Sequence, residues 1–173
     1  MTPATTGGTY TSSVMEWDGT AWREFGRPLT NGIAYKLEEL PDGSVVCGGT
    51  FYGAGNTPYG VLKWTGTRWD PLASLSTGLR IQGVSDLAIA LEGSLFAAGS
   101  IITTSGTTHY IARWNGTDWV EAGQRPTSTV SGLTTLPSGD LAAFGEFRLG
   151  GLESLRFVCR WDGRTWTQMA PGS

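Results

Sequence analysis

The chain has 173 residues, 39% of them apolar, and a formal net charge of −3. That length suits one domain with a sizeable core. The apolar share excludes a disordered chain, and the mild acidity supplies no electrostatic footprint for nucleic acid or an anionic membrane.

Twenty-six glycines, about twice the usual share, argue against long helices, as does the abundant threonine. From the N-terminus, Met1 to Tyr10 is rich in threonine and glycine and has no basic segment leading into an apolar one, so no signal peptide is predicted. No apolar run approaches the roughly 20 residues of a membrane-spanning helix, and no membrane insertion is expected. A virion or an extracellular surface is the favoured setting, with the cytoplasm as the alternative.

Repetition then dominates. All eight tryptophans fall into four pairs of identical spacing: Trp17 and Trp22, Trp64 and Trp69, Trp114 and Trp119, Trp161 and Trp166. Each pair encloses four residues with glycine second, and the first members lie 47, 50 and 47 residues apart. Upstream of the last three pairs a second block recurs, at Leu40 to Phe51, Ala90 to Ile101 and Leu136 to Phe147. A shorter apolar stretch precedes each block: Ile33 to Leu40, Val84 to Ala90 and Val130 to Leu136.

One unit therefore holds four short extended segments, A to D. Pro41-Asp42-Gly43 and Pro137-Ser138-Gly139 are turn sequences between A and B. Asp18-Gly19, Asn115-Gly116 and Asp162-Gly163 are hairpin turns between C and D. A four-stranded meander repeated about every 47 residues predicts an all-β fold, a β-propeller. Its blades span about 30–73, 82–123 and 129–170, after a partial blade over 1–26, in a single domain over 1–173.

The Gly48-Gly49 doublet ending segment B, with a tryptophan about 15 residues on, resembles the Kelch repeat. Ile111-Ala112-Arg113-Trp114-Asn115-Gly116 is closer still to the Kelch-like repeats of large bacterial surface and secreted proteins. The resemblance covers residues 7 to 170. It departs from Kelch where the doublet becomes Ala98-Gly99 and Phe144-Gly145, and where tryptophan replaces tyrosine. It implies a propeller and carries no particular activity.

Because Gly7 to Tyr10 matches Gly48 to Phe51, the chain begins inside segment B. Three segments followed by three full units make fifteen expected strands and a first blade without its inner strand. Either four blades close alone, or the arc meets partners that cover its open edge. An oligomer or larger assembly is the favoured expectation.

Catalytic chemistry finds little support. His109 is the only histidine, which excludes a multi-histidine metal site within one chain, and it is expected in an exposed loop. Cys47 and Cys159 align with apolar residues in the other units and are expected as small buried hydrophobes, not as a disulfide or a nucleophile. Asp18, Asp42 and Asp162 recur where a turn favours aspartate. The residues before each first tryptophan, Glu16, Lys63, Arg113 and Arg160, are expected to pair neighbouring blades. Lys36, Glu38 and Asp86 are what segment A offers a central channel. No cofactor and no metal are expected.

The copies differ in the B-to-C loops, Tyr52 to Tyr59, Ile102 to Tyr110 and Arg148 to Arg156, and in the D-to-A loops, Ser74 to Gln82 and Gln124 to Ser128. In a propeller these loops share one face, where recognition is usually built on a rigid scaffold. Tyr52, Asn56, Arg80, His109 and Arg148 are the candidate contact residues. The leading expectation is a non-catalytic binding or structural module, such as a phage tail, fibre or capsid decoration protein. Its partners would be other proteins or copies of itself. A carbohydrate-binding lectin that takes a cell-surface glycan is the alternative, and a propeller glycoside hydrolase or lyase the second alternative.

Overall fold

A computed structural model describes residues 11–26, 29–53, 57–73, 80–103, 106–148 and 157–169. Among them every regular element is a strand, and no helix is long and apolar enough to cross a membrane. Three four-stranded antiparallel sheets account for most of the fold. The first holds β5 (Gly32–Glu39), β6 (Val45–Tyr52), β7 (Pro58–Trp64) and β8 (Trp69–Pro71). The second holds β9 (Arg80–Ile89), β10 (Leu95–Thr103), β11 (Gly106–Trp114) and β12 (Trp119–Glu121). The third holds β13 (Val130–Thr135), β14 (Leu141–Gly145), β15 (Phe157–Trp161) and β16 (Trp166–Gln168). In each, consecutive strands are neighbours, as the turn chemistry predicts.

Near the N-terminus the pattern is thinner. β2 (Met15–Trp17) and β3 (Trp22–Glu24) form a hairpin, and β1 (Thr11–Ser12) pairs with β4 (Leu29–Thr30). The described residues thus hold sixteen strands where fifteen are expected. β1 turns aside to pair with the connection that enters the next sheet, through Thr11 opposite Thr30 and Ser12 opposite Leu29. The expected segment at Gly7 to Tyr10 lies outside the described residues.

Each tryptophan pair closes a hairpin. Trp17 faces Trp22, Trp64 faces Trp69, Trp114 faces Trp119 and Trp161 faces Trp166 across the two strands. Ring centroids within the pairs lie 5.3 to 5.6 Å apart with tilted planes, a favourable aromatic geometry. The turn beneath each pair needs a left-handed residue; at Gly116, for example, φ is +102°.

The second doublet glycine is explained by close approach of the inner strand. A Cβ on Gly49 would sit 2.1 Å from the Ile33 carbonyl oxygen, and one on Gly99 would sit 2.0 Å from that of Gly83. Both positions flank an irregularity in the A–B pairing. The first doublet position meets side chains of the next sheet instead of backbone: a Cβ on Gly48 would lie 2.8 Å from Val84 Cγ1.

The sheets stack in chain order, and the core lies between them. Val14, Leu29, Cys47, Phe51 and Leu62 pack between the N-terminal hairpin and the first full sheet. Val46, Val61, Val84, Leu87, Tyr110 and Trp119 pack between the first and second sheets. Phe96, Ile111, Leu133, Leu141 and Trp166 do so between the second and third. Cys47 and Cys159 are buried, free thiols, and burial pushes the Cys47 thiol up to about 12. A thiol in that state is a poor nucleophile.

Candidate functional site

Three places on this stack could carry function: the inner strands, the loop face and the opposite turn face. On the inner strands Lys36, Glu38 and Asp86 come together. Lys36 Nζ lies 3.3 Å from Glu38 Oε1 and 3.7 Å from Asp86 Oδ1. Burial pulls the Lys36 amine down, but the charges of Asp86 and Glu38 outweigh it and leave it raised. Asp86 is already occupied: Oδ1 accepts the Leu87 N–H at 2.9 Å and Oδ2 accepts the Leu133 N–H at 2.8 Å. With Lys36 on β5 and Leu133 on β13, one carboxylate ties three inner strands together. Beside it, the Ser85 hydroxyl donates to the Val130 carbonyl at 2.7 Å, and that of Thr135 to the Ile89 carbonyl at 2.6 Å.

The loop face holds the predicted contact residues, and part of it lies outside the described residues, Asn56 included. Tyr52 ends β6 as an exposed residue whose N–H donates to the Asn31 carbonyl at 2.9 Å. Arg80 opens β9 opposite Ile102, and its side chain lies outside the described residues. Arg148 is exposed, and its backbone is fixed to Thr127: its N–H donates to Thr127 Oγ1 at 3.0 Å, and its carbonyl accepts the Thr127 N–H at 2.8 Å.

His109 differs from expectation. It is not in an exposed loop but within β11, half-buried and opposite Ser100. The expected loop from Ile102 to Tyr110 is mostly hairpin, because β10 and β11 stay paired out to Thr103 opposite Gly106. Threonine at 103, 107 and 108 suits a pleated strand as well as a loop, so composition did not separate the two. Tyr52 and His109 lie in different sheets, Arg148 lies beyond the end of β14, and no hydrogen bond or ion pair among the described residues links any two of them.

On the turn face two grooves run between adjacent sheets. The larger, about 590 Å³, is lined by Asp42, Lys63, Glu92, Arg113, Trp114 and Asn115, among others. The smaller, about 260 Å³, is lined by Glu92, Arg113, Asp140, Trp161 and Asp162, among others. Each has an aromatic wall and charges of both signs.

Here too an expectation is corrected. Lys63 and Arg160 do not bridge neighbouring sheets; each pairs with the A–B turn of its own sheet. Lys63 Nζ lies 3.3 Å from Asp42 Oδ2, and Arg160 Nε lies 2.7 Å from Asp140 Oδ2. The register sets this: Lys63 stands opposite Val46 and Arg160 opposite Ala142, both beside the turn that carries the acid. The Ser44 hydroxyl and N–H, then Lys63, hold the Asp42 carboxyl down at about 2. The Ser138 hydroxyl and Arg160 lower Asp140.

The recurring turn carboxylates serve the turns. Asp18 Oδ1 accepts the Thr20 and Ala21 N–H groups at 2.8 and 2.9 Å, and Asp162 Oδ1 accepts those of Arg164 and Thr165 at 2.8 Å. Sequence reasoning missed the grooves, although their signal was present. An acid in the A–B turn and a base before the first tryptophan recur in every full unit.

No family model and no curated protein matches the chain. Among solved structures, it is similar to a protein of unknown function from Dyadobacter fermentans, at 18% identity and a TM-score of 0.50. The match covers 87% of this chain and 55% of the other, so the chain spans about half the length of that neighbour. The likeness is one of fold.

Proposed function

We propose that the chain is a Kelch-like β-propeller module, whole or part of a ring, that acts without catalysis as a binding or structural unit in a larger assembly. The observation that carries this reading is the pair of exposed apolar faces at the two ends of the stack. Trp17 and Trp22 are exposed at the N-terminal end, and Phe144, Val158 and Met169 at the C-terminal end. Apolar side chains so placed mark surfaces that a neighbour covers. A virion part, such as a tail, fibre or capsid decoration protein, is the kind of assembly proposed, with the loops around Tyr52 and Arg148 turned towards a partner. Light scattering on the chain isolated from its native source tests this. A stoichiometric complex is expected, and a free monomer sinks the reading.

A carbohydrate-binding lectin is the second reading, favoured by the inter-sheet grooves. Tryptophan beside charges of both signs, as at Trp114 with Arg113 and Glu92, offers stacking and hydrogen bonding to a sugar ring. Glycan-array binding that free sugar displaces, and that Trp114→Ala abolishes, is the expected result. No binding across the array removes this reading.

A further inference from the structure

We propose that the N-terminal hairpin of one copy of this chain docks on the last sheet of a second copy, head to tail, with the Trp22 indole N–H donating to the Met169 carbonyl. The inference rests on the reading of the chain as part of an assembly, and it names the partner at the open ends.

Two of the three interfaces between successive sheets supply the rule; at the first, between the N-terminal hairpin and β5–β8, the Trp69 indole N–H has no partner. The Trp119 indole donates to the Leu72 carbonyl at 2.7 Å, and the Trp166 indole to the Ala122 carbonyl at 2.7 Å. In both cases the acceptor lies three residues beyond the matching tryptophan of the preceding sheet, Trp69 or Trp119. Continued to the ends of the stack, the rule leaves one donor, Trp22, with no preceding sheet. It leaves one acceptor position, Met169, with no following sheet.

The surrounding surfaces match in the same way. Trp22 is 65% exposed, while its counterpart Trp119 is 1% exposed. Met15 is exposed, while its counterparts Leu62, Ala112 and Cys159 are buried against the preceding sheet. At the other end Phe144 is 49% exposed where Ala98 is 0% exposed. Val158 and Met169 are exposed where Ile111 and Ala122 are buried. Each end carries one half of an interface that the chain already builds internally.

One departure from the repeat makes the two ends fit each other more closely than they fit an internal sheet. At the first doublet position, Gly48 is crowded by the next sheet's inner strand. A Cβ there would lie 2.8 Å from Val84 Cγ1 and 2.9 Å from Leu87 Cγ. Phe144 occupies the same position in the last sheet and could not be accommodated beneath such a strand. The N-terminal hairpin has no inner strand among the described residues, and Leu37 on β5, whose counterpart Leu87 is fully buried, stands exposed beside the gap. The Phe144 ring of one copy is placed against this exposed Leu37 of the next, where no inner strand stands among the described residues. Because different patches meet, the contact is heterologous, and an open assembly keeps one free face of each kind until a ring closes.

Complementing variants of the full chain test the proposal. The purified wild type, followed by light scattering across a concentration series, is expected to rise in mass from monomer to a multiple. Trp22→Glu and Val158→Glu each alter a residue already exposed in one chain, so both are expected to keep the wild-type circular dichroism. Each alone is expected to remain monomeric, with the apparent dissociation constant raised at least tenfold. Mixed in equal amounts they are expected to form a dimer of one of each, since one retains the donor face and the other the acceptor face.

A wild type that stays monomeric at all concentrations overturns the proposal. If its Trp22 is then also shielded from iodide quenching, the two faces meet within one chain. A mixture that stays monomeric while the wild type associates overturns the head-to-tail geometry. The assembly reading is judged separately: a purified monomer that enters a native complex with other proteins defeats this inference and leaves that reading standing.

Discussion

The carboxylate of Asp86, on the inner strand of one sheet, accepts the backbone N–H of Leu133, on the inner strand of the next, at 2.8 Å. The same side chain faces Lys36 on the sheet before, so it braces three sheets at once. Asp86→Ala leaves the Leu133 N–H without its acceptor. A loss of about 1–3 kcal/mol in urea unfolding is expected. Asp86→Asn keeps a carbonyl acceptor and is expected to lose less. Equal losses for the two would mean that charge, not the hydrogen bond, holds the strands.

The tryptophans allow a controlled comparison. Trp166 donates to the Ala122 carbonyl, whereas the buried indole N–H of Trp69 has no hydrogen-bond partner. Replacing either by phenylalanine removes similar ring volume. Only Trp166→Phe also strands an acceptor, so it is expected to be the costlier by about 1–2 kcal/mol in thermal or urea unfolding. A Trp69→Phe variant as damaged as Trp166→Phe would contradict the assignment of these bonds.

Glycines at two kinds of position are predicted to respond differently. A Cβ at Gly99 would meet the Gly83 carbonyl oxygen, and the strands must separate to admit it. Gly99→Ala is expected to cost about 3 kcal/mol or to prevent folding. At Gly116 nothing lies within 4 Å, and the cost of Gly116→Ala is the backbone's alone, about 1–2 kcal/mol for an alanine at positive φ. Reversed sizes in chemical denaturation would refute the close approach.

The turn carboxylates set the acid limit. Side-chain and backbone donors hold Asp18 and Asp42 at about 2, below the ordinary value of 3.8. Groups with depressed folded values contribute stability that is present above the unfolded value and lost as pH falls through the folded one. The melting temperature is therefore expected to fall as pH drops from about 4 to 2. Lys36 has the opposite sign: its raised value contributes stability that persists below 10.5 and disappears only at higher pH. Asp18→Asn with Asp42→Asn is expected to flatten the acid limb, and an unchanged limb would place the titration elsewhere.

Much of the architecture could be read from residues alone because its signals are local. Trp-x-Gly-x-x-Trp spacing and Pro-Asp-Gly turns act within a few residues, and the meander follows from them. Cys47 and Cys159 were legible as core through their apolar counterparts. What escaped reading depends on register and on neighbouring sheets. Lys63 finds Asp42 because β7 stands opposite β6 at Val46, a pairing that no single segment encodes. His109 was misplaced because threonine-rich sequence suits strand and loop alike, and the long pairing of β10 with β11 decided between them. The grooves lie where two sheets meet, and each contributes only half of the lining.

The indole bonds between sheets also run in one direction along the chain. Leu72 precedes Trp119 by 47 residues and Ala122 precedes Trp166 by 44, so the acceptor always belongs to the earlier sheet. On a ribosome, each docking surface is therefore synthesised before the tryptophan that will use it. Every newly emerged hairpin meets a platform already able to fold, and the stack can grow from its beginning without waiting for its end.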